Sequence, residues 1–262
     1  MDYDEALRRI LAWASADANV RAVVLTGSAA TGSQHPLSDR DIELHARDTS
    51  PLETDDAWWR GLGDVLAVER LENGDDWPTR LVYYVGGKFD FRLIDAAHAG
   101  GRYDRPFRVL LDKDGVAAEF ALIPPIPPVP DQERFDECCN WAAAAALMAA
   151  KAMVRDEPWS EMIRDADLAA QLLRMIEWDH NARYGTERDV RYLGTRMRQW
   201  MDPDVQRRLE SCASTYGRDN RDALLAAISL FDELAQRLAH EAGLTPFDLR
   251  RVEAETRRIL KL

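Results

Sequence analysis

With 262 residues the chain is long enough for two domains of ordinary size, each with its own core. A hydrophobic fraction of 46% and a charged fraction of 31% are those expected of a soluble globular protein, and no apolar run approaches the ~20 residues of a membrane span. A formal charge of −12 with no Lys/Arg-rich tract disfavours a nucleic-acid binder, which needs a basic surface to release counterions from phosphates, whereas a net negative surface gathers polycations.

The first predicted element is a helix over Tyr3–Ala16, dotted with Asp4, Glu5, Arg8 and Arg9. It lacks the apolar core and small-residue cleavage site of a secretory signal, so a cytoplasmic location is expected. An apolar strand over 22–25 runs into Gly27-Ser28, a turn that leaves backbone N–H groups and one hydroxyl pointing outward for a phosphate. A second strand over 40–46 follows. Its period of two puts Asp39 and Asp41 on one face while Ile42 and Leu44 turn into a core, and paired carboxylates on one face form a hard-oxygen site suited to magnesium. A helix is expected over 54–66. The segments 80–85 and 88–94, joined by Gly86-Gly87, read as a hairpin whose second strand carries Asp90 on its polar face. A hairpin strand set beside 40–46 would bring Asp90 to the Asp-x-Asp pair. A strand over 107–111 completes an N-terminal domain, 1–123, with a mixed sheet and flanking helices. Asp55-Asp56 and Asp75-Asp76 read as solvated charges.

Five prolines within 124–130 form a stiff extended linker. From 131 to 262 the pattern is helical throughout, with helices expected over 131–155, 161–183, 188–200, 203–213, 219–242 and 246–260. The fold class is thus α+β followed by an all-α bundle. Three cysteines, two of them adjacent at Cys138-Cys139, cannot form a disulfide framework and are read as reduced structural residues. The five histidines show no metal or catalytic spacing.

Gly27-Ser28, Asp39-x-Asp41 and a later single carboxylate at Asp90 resemble the active-site pattern of the polymerase-beta-type nucleotidyltransferases. Together with the segments 109–114, 135–140 and 173–178, they resemble more narrowly the aminoglycoside 6-adenylyltransferases that inactivate streptomycin. The resemblance implies transfer of AMP from ATP to an aminoglycoside hydroxyl, with streptomycin modified at its 6-position, pyrophosphate released and antibiotic resistance conferred. It implies two Mg2+ ions held by Asp39, Asp41 and Asp90, with Asp90 also accepting the proton of the attacking hydroxyl. Gly27 and Ser28 would hold the β- and γ-phosphates.

By the same resemblance the helical domain closes over triphosphate and antibiotic. Lys151, in the middle of an Ala/Met-rich helix, either snorkels to solvent or contacts the triphosphate. Arg188 and Arg191, part of a basic cluster with Arg196 and Arg198, stand where the family commonly uses lysines for phosphates; a solvated helix face is the alternative. Trp178 and Asp179 stand where the family sets an aromatic and an acid against the drug, although a tryptophan after such an apolar stripe is more often a core residue. The expected partners are ATP and a cationic aminoglycoside, with no nucleic acid, no membrane and a monomeric chain. Ala29 follows the Gly-Ser where the family often has Arg, which leaves spectinomycin or another aminoglycoside open as acceptor. A protein-AMPylating enzyme of toxin–antitoxin type and a non-enzymatic nucleotide binder are the rival readings, the large helical half weighing against the former.

Overall fold

The computed structural model describes residues 1–72, 77–98, 101–123 and 129–262, so Asp75, Asp76 and residues 124–128 of the proline-rich segment lie outside the described residues. The chain divides into two compact units, Met1–Ile126 and Pro127–Leu262.

In the first unit, helix α1 (Tyr3–Ala16) is started by Asp2, whose side chain accepts from the N–H groups of Asp4 and Glu5. Its buried positions Ala6, Ile10 and Ala14 recur every fourth residue and give the helix one apolar stripe. Strand β1 (Val20–Thr26), a 3-10 turn (Gly27–Ala30) and strand β2 (Arg40–Ala46) follow, then short helices α2 (Ser50–Thr54) and α3 (Ala57–Arg60). Strands β3 (Val65–Leu71), β4 (Thr79–Tyr84), β5 (Gly87–Asp95), β6 (Arg102–Tyr103), β7 (Phe107–Asp112) and β8 (Ala121–Leu122) come next. The main sheet has the order β3-β4-β5-β2-β1-β7; β2 and β5 are parallel and the other neighbours antiparallel. Strands β6 and β8 form a small parallel pair of their own.

Period-two alternation gives the main sheet two unlike faces. Leu25, Ile42, Leu44, Phe89, Phe91 and Leu93 point to one side and join Ala6 and Ile10 of α1 in a closed core. Thr26, Asp41, Glu43, His45, Asp90 and Arg92 occupy alternate positions and therefore share the other side. That second face is covered at one end. There Tyr103 donates its hydroxyl to Glu43 Oε2 at 2.8 Å, and Phe120 packs 5.6 Å from the His45 ring. Toward the start of β2 the face opens, and Asp39, Asp41 and Asp90 keep 41%, 31% and 23% of their side chains exposed.

The helix expected over 54–66 is replaced by α2, α3 and the start of β3. Gly61 caps α3, Gly63 follows two residues later, and β3 is an edge strand paired only with β4. Its apolar residues, Leu66 among them at 68% exposure, do not alternate in and out, so pairing with β4 rather than local pattern sets its structure.

The second unit consists of α4 (Gln132–Val154), α5 (Pro158–Tyr184), α6 (Met197–Trp200), α7 (Pro203–Glu210), α8 (Arg221–Ala242) and α9 (Arg250–Leu260). Ala142, Ala145, Ala146, Ala149 and Ala150 give α4 a small-residue surface on which α5, α8 and α9 pack around Phe135, Met175 and Phe231. The cysteines are free, with Cys138 and Cys139 buried in this core. The helix expected over 188–200 is confined to its last turn. Tyr192, Leu193, Gly194 and Arg196 all take positive φ, which no right-handed helix accepts, and the chain from 185 to 196 is irregular. Among the described residues, no helix is long and apolar enough to cross a membrane.

On α5 burial pushes the half-buried Glu177 carboxyl up to about 7, with Arg174 opposing and Asp189 reinforcing the rise. A raised acid favours the fold while it holds its proton, so the fold loses stability as pH climbs from the ordinary carboxylate range to about 7. Glu177→Gln is expected to raise the urea midpoint at pH 8 by about 1 kcal/mol of stability, allowing for partial exposure, with the gain shrinking to nothing near pH 4. Equal gains at both pH values would remove ionisation as the cause.

Candidate active site

Strand pairing assembles the site. Parallel register sets Asp41 of β2 opposite Asp90 of β5, and antiparallel register sets Thr26 of β1 opposite Asp41 on the other side. Asp39 lies two residues ahead of Asp41, and Lys88 two ahead of Asp90, so both project on the same face. The Lys88 ammonium stands between them, 2.8 Å from Asp39 Oδ2 and 2.9 Å from Asp90 Oδ1. Arg105 brings Nη1 to 3.9 Å from Asp41 Oδ1.

The electrostatics follow from partial burial of like charges. Burial raises the Asp41 carboxyl above the usual carboxylate range, opposed by Arg105 and reinforced by Asp39. Burial likewise raises Asp90, opposed by the hydrogen bond from Lys88 and reinforced by Asp41. For Lys88 burial works against the charge, but hydrogen bonds to Asp39 and Asp90 outweigh it and its pKa rises. Lys88 is therefore a fixed cation holding two carboxylates together.

Gly27 shapes the other wall. Its φ is +73°, and a Cβ there would stand 2.8 Å from Asp41 Oδ2, so only glycine lets the turn pass this close to the carboxylate. The Gly27 N–H is used by the Pro106 carbonyl at 2.9 Å, and the Ser28 carbonyl accepts from the Ser33 N–H at 3.1 Å and the Thr31 hydroxyl at 3.1 Å. The Ser28 hydroxyl has no hydrogen-bond partner among the described residues. Thr26 Oγ1, fully buried beneath Asp41, is also unpartnered.

Three hard-oxygen donors on one face suit a divalent cation in charge and ligand type. Among the described residues, no three acidic, histidine or cysteine side chains close round a single point, and the Lys88 ammonium lies within reach of both Asp39 and Asp90.

The residues singled out after the linker lie in the helical unit. Lys151 is exposed on α4, with Glu255 of α9 in its field. Arg188 donates to the Gln199 carbonyl at 2.7 Å, and Arg191 forks onto Asp189 at 2.8 and 2.7 Å; both sit in the irregular segment, so their spacing is not that of a helix face. Trp178 is buried between the Arg134 and Arg174 guanidinium groups, each 5.9 Å from its ring. Asp179 is 3% exposed and spends both oxygens on Arg237 at 2.6 and 2.7 Å, with Arg183 at 3.4 Å. These contacts give Trp178 and Asp179 packing and ion-pair roles inside the bundle.

The model of the streptomycin adenylyltransferase family matches residues 1–254. The chain belongs to that family. It is an enzyme of the adenylyltransferase type, and the likeness first carried by Gly27-Ser28, Asp39-x-Asp41 and Asp90 extends over nearly the whole chain. Among solved structures, an aminoglycoside 6-adenyltransferase from Bacillus subtilis aligns with 99% of this chain and 98% of its own, at 19% identity and a TM-score of 0.49. No curated protein matches the chain.

Two residues of this site carry no signal strong enough to be assigned a role from the sequence. Lys88 had one usable mark, its place two residues before Asp90 on the polar face of the same strand. Arg105 had none, since it reaches Asp41 from the loop between β6 and β7. The glycine contact yields a direct expectation. Gly27→Ala should cost about 1–2 kcal/mol for the left-handed backbone and swing the Asp41 carboxylate away from Asp90, cutting turnover with it; urea unfolding beside initial rates checks both, and a fully active, equally stable variant would refute the contact.

Proposed function

We propose that this adenylyltransferase moves the AMP group of ATP onto a hydroxyl of an aminoglycoside, with streptomycin the acceptor at its 6-position and pyrophosphate the second product. The observation that supports it most directly is the Asp41–Asp90 register pair at the open end of the sheet, beside a glycine turn with a spare serine hydroxyl. Membership of the streptomycin adenylyltransferase family supports the acceptor class. A chain of net charge −12 favours approach of a polycationic drug. A need for ATP supports a cytoplasmic setting for the reaction.

In this reading Asp39, Asp41 and Asp90 hold divalent metal, Mg2+ being the cation of choice for carboxylates facing a triphosphate. Bound there, the metal neutralises the negative charge that grows on the attacking and leaving oxygens. Asp90, with its pKa raised by burial, takes the proton of the acceptor hydroxyl. Ser28 Oγ and the neighbouring turn hold phosphate oxygens. Lys88 keeps Asp39 and Asp90 together by its contacts with both, a role that a metal held by these carboxylates would share. We assign residues 1–123 to nucleotide and metal and 131–262 to the triphosphate and antibiotic, with the exposed Lys151 the basic side chain best placed for a ligand in the helical part. Arg188, Arg191, Trp178 and Asp179, already engaged within the bundle, are less suited.

Pyrophosphate release from ATP with Mg2+ is expected in the presence of streptomycin and not with spectinomycin, kanamycin or no acceptor. Release with a different drug alone would move the acceptor; silence with all of them would refute acceptor and reaction together. Asp90→Asn should lower turnover by roughly 10²–10⁴ while the fold melts as before, and near-native rates would remove Asp90 from the chemistry. Lys88→Met, which leaves the carboxylates without their ammonium, is expected to melt lower than the parent without metal and to gain more from added Mg2+. Equal metal-induced shifts in the two proteins would show that Lys88 and metal do not share a place.

A further inference from the structure

A cavity of about 540 Å3 lies within the helical unit, bounded by α5, α7, α8 and the residues preceding and forming α6. Leu172 and Ile176 of α5, Met197 of α6, Leu209 of α7 and Leu224 of α8 make its wall apolar. The volume falls in the ~300–1,000 Å3 range of small-molecule sites.

Two carboxylates break this apolar wall, Glu161 and Asp165, one helical turn apart on α5. Glu161 is 6% exposed and accepts from Asn220 Nδ2 at 2.5 Å; Asn220 is itself fastened to the Thr215 backbone at 2.8 and 3.0 Å. As a first-turn residue, Glu161 also faces the favourable end of the helix dipole. Asp165 lies a turn beyond that help. Its side chain is hydrogen-bonded to Ser214, but its Oδ2 is buried without a partner among the described residues, and among them neither Asp165 nor Glu161 has a lysine or arginine in ion-pair contact. Farther along the same helix Asp179, by contrast, receives two arginines.

The rim is also unusual. Trp159 and Tyr216 pack edge to face at 6.3 Å and stay 65% and 60% exposed. Leu193 borders the cavity at 95% exposure, on a stretch held at positive φ. Apolar side chains left in water around an apolar hollow gain burial only when something fills it.

We propose that this cavity is a binding site for a hydrophobic organic cation, its hydrocarbon or aryl body seated against Leu172, Ile176, Leu209 and Leu224 and its ammonium against Asp165 and Glu161. The ammonium supplies the counter-charge that two neighbouring carboxylates lack. The apolar wall provides few partners for sugar hydroxyls, so this ligand class differs from the polyhydroxylated drug proposed as acceptor.

The test uses the full chain without nucleotide or metal, titrated calorimetrically with 4-phenylbutylamine and with its neutral analogue 4-phenylbutan-1-ol. The amine is expected to bind at least tenfold more tightly than the alcohol. Asp165→Asn combined with Glu161→Gln should erase that preference while leaving the alcohol's affinity within about twofold. Ala166→Trp, which fills the cavity from an exposed position on α5, should weaken both ligands at least tenfold with the helix content unchanged. Equal affinities of amine and alcohol for the parent chain, no binding of the amine, or amine binding that survives Ala166→Trp would each overturn the proposal. None of these readouts depends on adenylyl transfer.

Discussion

The parallel pairing of β2 with β5 is the constraint on which the first unit's chemistry depends. It sets Asp41 beside Asp90 and extends Asp39 and Lys88 on the same face, so that three carboxylates crowd the open end of a sheet whose reverse side is closed core. Like charges at that spacing repel, and burial of their surroundings strengthens the repulsion. The fold answers with two cations, Lys88 from the same strand as Asp90 and Arg105 from a loop, and with a glycine turn that lets Asp41 sit against backbone. In the proposed reading a divalent cation held there would relieve a repulsion that the protein cations only moderate.

The same face shows how position along one strand changes what an acid does. Two residues beyond Asp41, Glu43 is nearly fully buried and meets the Tyr103 hydroxyl, His45 and Arg92. Burial raises its pKa, but those hydrogen bonds and charges prevail and the carboxyl sits below its ordinary range. Glu43 is thereby a settled structural anion, whereas Asp41 and Asp90 keep raised values and open faces. The helical unit repeats the contrast on α5: Asp179 is locked between arginines, and the half-buried Asp165 has one oxygen unanswered among the described residues.

Local pattern was enough for elements whose periodicity and termini agree. The first helix, the strand 40–46 and the hairpin of 80–94 emerged because alternation or a four-residue stripe ends at a clear cap or turn, although the hairpin turns one residue earlier than expected, at Val85-Gly86, with Gly87 already paired to Tyr84. Strand β3 did not, since an exposed edge strand carries no alternation and its pairing with β4 is a long-range event. The segment 188–200 reads as helical by arginine spacing, yet backbone at positive φ through Tyr192, Leu193 and Gly194 cannot propagate a right-handed helix.

By itself the sequence determined which groups could do chemistry here: a glycine turn after a strand, two aspartates two residues apart and a third on an alternating strand, together with the family likeness they carry. Spacing along a strand is a local property, so it survives without coordinates. The tertiary structure alone decided that Asp90 lies opposite Asp41, that Lys88 and Arg105 offset part of the group's charge, that Asp179 is spent on Arg237, and that Asp165 borders an apolar cavity with one oxygen unpartnered among the described residues. Each of these joins residues distant in the chain or measures burial, and burial depends on how elements pack rather than on the order in which residues occur.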